Sequence, residues 1–430
     1  MLSKFVLFLS IVSLSYSADS YDFDTLANAL MKTSPRQQQS DIDILVAKER
    51  KNLASSGYYP SIRISTNFEY SKKFDGFYSP SYIGEDSLTQ SSGKYVSSSL
   101  YFQQEIYRFG QTEHLYNAAL SALKASQAAK CIKTKDDLLL LLEAYFQARI
   151  FSHKLDKYTK IQELYTSLYI YSKRLYEAGE KAKSDTMEYA RELADTASLI
   201  AGIKEDKAKY LSQILYLSGI NIAHDDTLLP LTINDSFMID IPFEKSTTAI
   251  HLMSVMKQKS LELRAQKSNY MPSFSIYGRY DLYGEAEGFN EAFRDLNKNG
   301  YRVGVSFSIP LFDGFKNEAE VNIKSFELAK SRLDYEDAKR LYEKEQALIN
   351  SQILLEKERL TGANQSSNIS NKLSHDGKLL YEAGELDMIS LLNNEINRLK
   401  IELSEQEIAE NLIFNIKKRE IINTKEGQCI

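Results

Sequence analysis

The chain has 430 residues, 43% of them hydrophobic, with 28 tyrosines, no tryptophan and a net charge of −5. Charges of both signs are dispersed along it, which argues against nucleic acid as a partner. Its 2 cysteines, Cys131 and Cys429, make neither a disulfide framework nor a metal motif. A single bridge between them is open to the chain, but the reading favoured is two unrelated thiols.

Met1 to about Ser17 reads as a secretory signal, with Lys4 as the positive start, Phe5 to Leu14 as the apolar run and Ser15-Tyr16-Ser17 as a small-residue cleavage site. The run is too short to span a bilayer, which takes roughly 20 apolar residues. No cysteine follows the site, so a lipid anchor there is not expected.

The next clear signal is alternation. From Ser61 to Tyr70, the residues Ile62, Ile64, Phe68 and Tyr70 alternate with Ser61, Arg63, Ser65, Asn67 and Glu69. Val96, Leu100, Phe102 and Ile106 likewise oppose Ser97, Ser99, Gln103 and Glu105. Each run predicts a strand with one wet and one apolar face, the two joined by a polar loop at roughly 74–92.

A different grammar follows. No proline falls in 81–229 or 311–430, so nothing there must break a helix. Tyr158, Ile161, Tyr165, Leu168 and Leu175 step by three and four, with one gap at Ser172. Such a repeat makes helices wrap around one another. A continuous helix from about Gln111 to Ala178 would be about 100 Å long at 1.5 Å per residue. Gly179 suits the left-handed residue that ends it, and a second helix follows.

The same order then returns. Phe274, Ile276, Tyr280 and Leu282 oppose Ser273, Ser275, Arg279 and Asp281, and Tyr301, Val303, Val305, Phe307 and Ile309 oppose Arg302, Gly304, Ser306 and Ser308. A polar loop is expected at about 285–299. Leu328, Tyr335, Tyr342 and Ile349 fall seven apart, as do Leu341, Leu348 and Leu355, and Ile389, Leu392, Ile396, Leu399 and Leu403 repeat the three-four rhythm. Leu175-Tyr176-Glu177-Ala178-Gly179-Glu180 recurs letter for letter as Leu380-Tyr381-Glu382-Ala383-Gly384-Glu385, 205 positions later. Ile106-Tyr107-Arg108-Phe109-Gly110 stands at that offset from Leu311-Phe312-Asp313-Gly314-Phe315, and Tyr58-Tyr59-Pro60-Ser61-Ile62 answers Tyr270-Met271-Pro272-Ser273-Phe274 at 212. Three markers in one order mean a duplicated unit.

Alternation alone fits a soluble sheet packed on helices as well as a membrane barrel. The export signal, the tyrosine-rich flanks and the duplication favour strands that are apolar outside and polar inside, as a transmembrane barrel requires. Four strands cannot close one, and lipid does not tolerate open edges. The chain must then oligomerise, several copies contributing four strands each. No catalytic constellation emerges: the 5 histidines are scattered, and no phosphate loop, dinucleotide motif or nucleophile elbow is present. The expectation is a protein that is not an enzyme and takes no cofactor or metal.

With these markers the chain resembles the TolC-type outer-membrane efflux proteins over essentially its whole mature length. The resemblance rests on two strand-strand-helix-helix halves, the Tyr-x-Pro-Ser entries, Gln104-x-Ile106-Tyr107-Arg108-Phe109-Gly110 with its counterpart Ile309-Pro310-Leu311-Phe312-Asp313-Gly314, and the Tyr-x-x-Gly turns. It implies an α+β membrane protein in the cell outer membrane, extending into the periplasm. It also implies a homotrimer, with a twelve-strand transmembrane β-barrel, four strands from each chain, above a periplasmic tunnel of long coiled-coil hairpins. The expected organisation is a signal peptide at 1–17, a first repeat at 18–219, an equatorial linker at 220–247, a second repeat at 248–424 and a tail at 425–430. Within the repeats the strand pairs fall at about 61–107 and 273–312, and the hairpins at about 111–219 and 315–424.

The implied function is passive conduction, in efflux or type I secretion, from a periplasmic adaptor and an inner-membrane transporter to the exterior. The adaptor would meet the hairpin tips near Gly179 and Gly384, and the resemblance does not say whether drug, metal ion or protein is carried. In the family, a latch between neighbouring turns closes the periplasmic tip; its positions here are Asp185 and Tyr381. The family arginine two residues past the second glycine is Leu386, and the two aspartate rings of some members are Ser390 and Asn393. Glu385 and Asp387 lie close enough to supply charge instead. The rival reading is a periplasmic coiled-coil adaptor or structural spacer, which would carry one hairpin and need no duplicated strand pairs.

Overall fold

The computed structural model describes residues 19–72, 93–224, 226–233 and 240–424. The expected signal, the 74–92 loop, part of the linker and the tail lie outside them. In chain order the elements are β1 (Ser20–Tyr21), α1 (Phe23–Thr33), α2 (Pro35–Ser55), β2 (Ser61–Ser71), β3 (Gly93–Tyr107), α3 (Gln111–Glu177), α4 (Lys183–Ser218) and β4 (Thr227–Leu228). They continue with α5 (Thr247–Lys267), β5 (Ser273–Ala286), α6 (Phe289–Arg294), β6 (Lys298–Ser308), α7 (Lys316–Glu382) and α8 (Met388–Ile422).

The duplication reaches individual residues. α2 and α5 are both 21 residues long and begin at prolyl and threonyl positions 212 apart. α3 and α7 are both 67 residues long, and Gln111 and Lys316 stand 205 apart, as do Glu177 and Glu382. The change from one offset to the other falls between the strands of each pair, so the seven-residue difference belongs to the loop that joins them.

One compact unit comprises 42–128 and 249–338. It holds an antiparallel sheet in the order β2-β3-β5-β6. Pairing places Ile62 beside Phe102, Ile64 beside Leu100 and Leu100 beside Tyr280, and sets Tyr280 against Tyr301 and Ile276 against Val305. One face is therefore mostly apolar, interrupted by Thr66, Ser98, Gln104 and Asn299, and much of it is exposed: Ile64 is 72% accessible, Tyr301 80% and Val305 71%. A bulge between Glu105 and Tyr107 ends the alternation of β3, putting Tyr107 rather than Ile106 opposite Phe274. The 285–299 segment is not the plain polar loop expected. It folds α6, whose Phe289 and Phe293 rings lie against Phe68 on the apolar face. Gly284 lies under α6, and a Cβ there would fall 2.0 Å from the Ala292 carbonyl oxygen, so only glycine fits.

Both strand-to-helix corners use two consecutive left-handed residues. These are Phe109 and Gly110 before α3, and Gly314 and Phe315 before α7. The phenylalanine and glycine exchange order between repeats while the backbone path is kept. A side-chain-bearing residue in that region costs about 1–2 kcal/mol, which the surrounding contacts must offset. At the first corner Ser268 donates to the Phe109 carbonyl at 3.0 Å and the Gln111 amide to Asn269 at 2.7 Å.

The other unit comprises residues up to Asp41, 129–248 and 339 onward. Its spine is an antiparallel seam of α3 on α8. Ile161, Tyr165 and Leu168 pack with Leu392, Ile396 and Leu399, as the three-four rhythms predicted. Charge continues the seam: Lys157 pairs with Glu402 at 2.7 Å, Lys154 with Glu407 at 3.1 Å, and Arg149 with Glu410. The gap at Ser172 is a buried polar contact, its hydroxyl 3.3 Å from that of Thr186 on α4. A second core joins Leu141, Leu142 and Tyr145 of α3 to α1 and to Leu211 and Ile214 of α4. β1 and β4 form a two-stranded parallel ladder. The Tyr145 hydroxyl donates to the carbonyls of Tyr21 (2.9 Å) and Leu229 (2.6 Å), and Arg149 donates to that of Leu228 (2.5 Å). Cys131 is disulfide-bonded, which corrects the expectation of two unrelated thiols. The sequence holds one other cysteine, Cys429, outside the described residues.

Candidate functional site

The two hairpin turns are built alike. Gly179 and Gly384 have φ of +81° and +77°. Behind each, the amide of the following glutamate reaches back to a leucine carbonyl: Glu180 to Leu175 at 2.8 Å and Glu385 to Leu380 at 2.9 Å. This is the bond that closes a helix through a left-handed residue.

The helix starts that follow differ. At α8, Asp387 caps the helix by accepting from the Ser390 amide at 2.8 Å and from its hydroxyl at 2.9 Å. The Ser390 amide in particular holds the Asp387 carboxyl below the usual range, despite some opposing burial. The matching residue at α4 is Ala182, which has no side chain to cap with. There Asp185 accepts from the Ser184 hydroxyl at 3.2 Å and pairs with Lys181 at 3.8 Å.

Asp185 therefore finds its partners within its own turn and is not joined to Tyr381 in the isolated chain. Tyr381 is 40% exposed and borders a cavity of about 580 Å³ with His375, Lys378, Leu392, Glu395 and Arg398. Arg398 is held by Glu395 at 2.7 Å and Glu402 at 3.1 Å, and Glu395 also accepts from Ser374 of α7 at 2.8 Å. A charged network thus stiffens the second turn beside Tyr381. Among the described residues, Asn393 and Glu385 find no side-chain hydrogen-bond or ion-pair partner.

The polar face of the sheet carries a second arrangement, which sequence alternation could not assemble. Its register aligns Arg63 of β2, Tyr101 of β3, Arg279 of β5 and Arg302 of β6 in one row. The Arg63 and Arg279 guanidinium carbons lie 5.3 and 4.8 Å from the centre of the Tyr101 ring. Asp281, one row nearer the loops, pairs with Arg279 at 2.5 Å and with Arg302 at 3.6 Å, and accepts from Ser99 at 2.5 Å. On the helix side, Tyr277 lies across Gly304, where a Cβ would fall 2.7 Å from the tyrosine hydroxyl. Arg63, Tyr101, Tyr277, Arg279 and Arg302 line a cavity of about 520 Å³. The alternation had marked Arg63, Arg279 and Arg302 as wet, but only strand pairing shows that they are neighbours.

No protein-family model matches the chain, and no curated protein matches it in sequence. Solved structures do match. The Campylobacter jejuni CmeC outer membrane channel superposes with a TM-score of 0.76 at 14% identity, over 94% of this chain and 86% of that one. The outer-membrane channel OprN gives 0.79 at 16% identity, over 94% and 90%. The outer membrane protein VceC from Vibrio cholerae gives 0.74 at 14%, over 92% and 95%. The sheet order, the paired long helices and their duplication therefore have one source: the chain has the fold of the TolC-type outer-membrane channels.

Proposed function

We propose that this protein is the outer-membrane component of an export system, a homotrimer that conducts solutes passively from the periplasmic side to the exterior. The observation that carries this reading is the sheet. β2 and β6 each pair with one neighbour among the described residues, and on the apolar face Ile62, Ile64, Tyr301, Val303 and Val305 are exposed, while α6 covers the loop end around Phe68 and Val96. Such a face suits lipid, and such edges suit the edges of further copies, since a bilayer demands closure. Leu341, Leu348 and Leu355 of α7 support the same assembly, being 50%, 52% and 53% exposed at heptad spacing.

In this reading the repeats at 18–219 and 248–424 each supply two strands and one hairpin, with the linker at 220–247 between them. The tips at Gly179 and Gly384 receive an adaptor, and an inner-membrane transporter supplies the energy and chooses the substrate. Asp185 and Tyr381 form a latch across the copies, in which Asp185 exchanges Lys181 for the tyrosine hydroxyl. Ser390 and Asn393 put no charge at the entrance, leaving Glu385 and Asp387 to do so. Replacing both Asp185 and Tyr381 should raise leak through reconstituted channels; unchanged closed-state conductance would remove the latch.

The deciding experiment is the native mass of the mature protein extracted from membranes in detergent. A trimer from the outer-membrane fraction is the expected result. A monomer that needs no detergent would sink the conduit and favour the periplasmic spacer.

A further inference from the structure

The row Arg63, Tyr101, Arg279, Arg302 sets three guanidiniums against one carboxylate. Arg279 and Arg302 are directly opposed on adjacent strands, a like-charge pairing that weakens a sheet. A purely structural arrangement would spread such charges or match them. Among the described residues the single carboxylate within reach, Asp281, is shared by Arg279 and Arg302, and the Arg63 guanidinium lies against the Tyr101 ring. The remaining acids of the same face stand elsewhere: Glu69 and Glu285 pair with Tyr95 near the loops, Lys298 offsets Glu285 at 3.7 Å, and Glu105 near the helices is paired with Arg108 at 3.6 Å. Positive charge is therefore concentrated at one level. It lines a cavity that also presents two tyrosine rings, Tyr101 and Tyr277. A local rule broken without structural gain is where function is to be sought.

We infer that this row is an anion-selective band and a binding site for carboxylate-bearing solutes, an inference that rests on the polar face lining a conduit. Guanidiniums match carboxylates in shape and charge. Rings of arginine select anions in pores for the same electrostatic reason. Each copy adds its own row, so a closed barrel carries the band all the way round.

The test uses full-length protein purified from membranes and reconstituted in planar bilayers under a KCl gradient. Zero-current potential is compared for the wild type, R63Q/R302Q and R63K/R302K. Arg279 is left in place because it holds Asp281. Block by benzene-1,3,5-tricarboxylate is measured on each. The glutamine pair is expected to move the potential toward cation preference and to weaken the block roughly tenfold, whereas the lysine pair keeps the wild-type potential. Conducting pores whose potential and block are the same in the wild type and the glutamine pair overturn the inference. If the glutamine pair does not insert, wild-type pores that the tricarboxylate fails to block overturn it equally. A wild type that forms no conductance is a different failure, because it removes the conduit reading and the band with it.

Discussion

α3 and α7 have the same length and equivalent ends, yet they live in different surroundings. Along α3, Leu141, Leu142, Tyr145, Ile161 and Leu168 are fully buried within the chain. On α7, Ile349 and Ile353 are buried, while Leu341, Leu348 and Leu355 stand about half exposed. Duplication has copied the backbone path and not the packing. α3 finds α8, α4 and α1 in its own chain, whereas Leu341, Leu348 and Leu355 of α7 stay half exposed. In the proposed trimer, a burial pattern that diverges between two copies of one element would separate what the protomer needs from what the assembly needs.

The sharpest way to break this contrast is L341E/L348E/L355E. Since the face is half exposed, helix content measured by circular dichroism should be retained while the native mass in detergent falls from trimer to monomer. An intact trimer would show that the α7 face is not an interface. The converse substitution, Leu168→Ala, deletes a fully buried side chain and should cost about 2–5 kcal/mol in unfolding experiments. Leu348→Ala in monomeric protein should cost well under half of that.

A third test concerns the charged part of the α3–α8 seam. Burial opposes ionisation of Glu410, but the His153 and Arg149 contacts win and hold its carboxyl at about 2, from an ordinary 4.5. A depressed carboxyl stabilises the fold above its unfolded value and loses that contribution as pH falls from about 4.5 toward 2. Glu410→Gln should thus lower stability at neutral pH by on the order of 2 kcal/mol and flatten the acid limb of thermal melts over that window. An unchanged acid limb would show that the seam does not depend on this carboxylate.

The smallest effect is expected at the turns, where the repeats are alike. Gly179→Ala and Gly384→Ala meet no atom within 4 Å, so each pays only for a left-handed alanine, about 1–2 kcal/mol. Matching losses in denaturant unfolding would confirm that both turns close in the same way. A much larger loss at one would reveal a further contact there.

Much of this was legible because the signals are periodic and doubled. The strands, the long helices and their glycine ends follow from alternation, heptad spacing and left-handed glycines, each a consequence of geometry within a few residues. Three features were not legible. Phe289 and Phe293 belong to a stretch too short and too polar to announce a helix, and only the apolar sheet surface that α6 covers explains them. Ser172 looked like a defect because its partner Thr186 lies across the turn. The Cys131 disulfide depends on proximity that spacing along the chain does not encode.

By itself, then, the sequence determined the four long strands, the long helices, their order and their duplication, because backbone periodicity and hydrophobic pattern are local properties. Tertiary structure alone decided the row of Arg63, Tyr101, Arg279 and Arg302 and the face of α7 left uncovered. Each of these depends on register between segments distant in the chain, where a shift of one residue would turn every side chain of a strand to the opposite face.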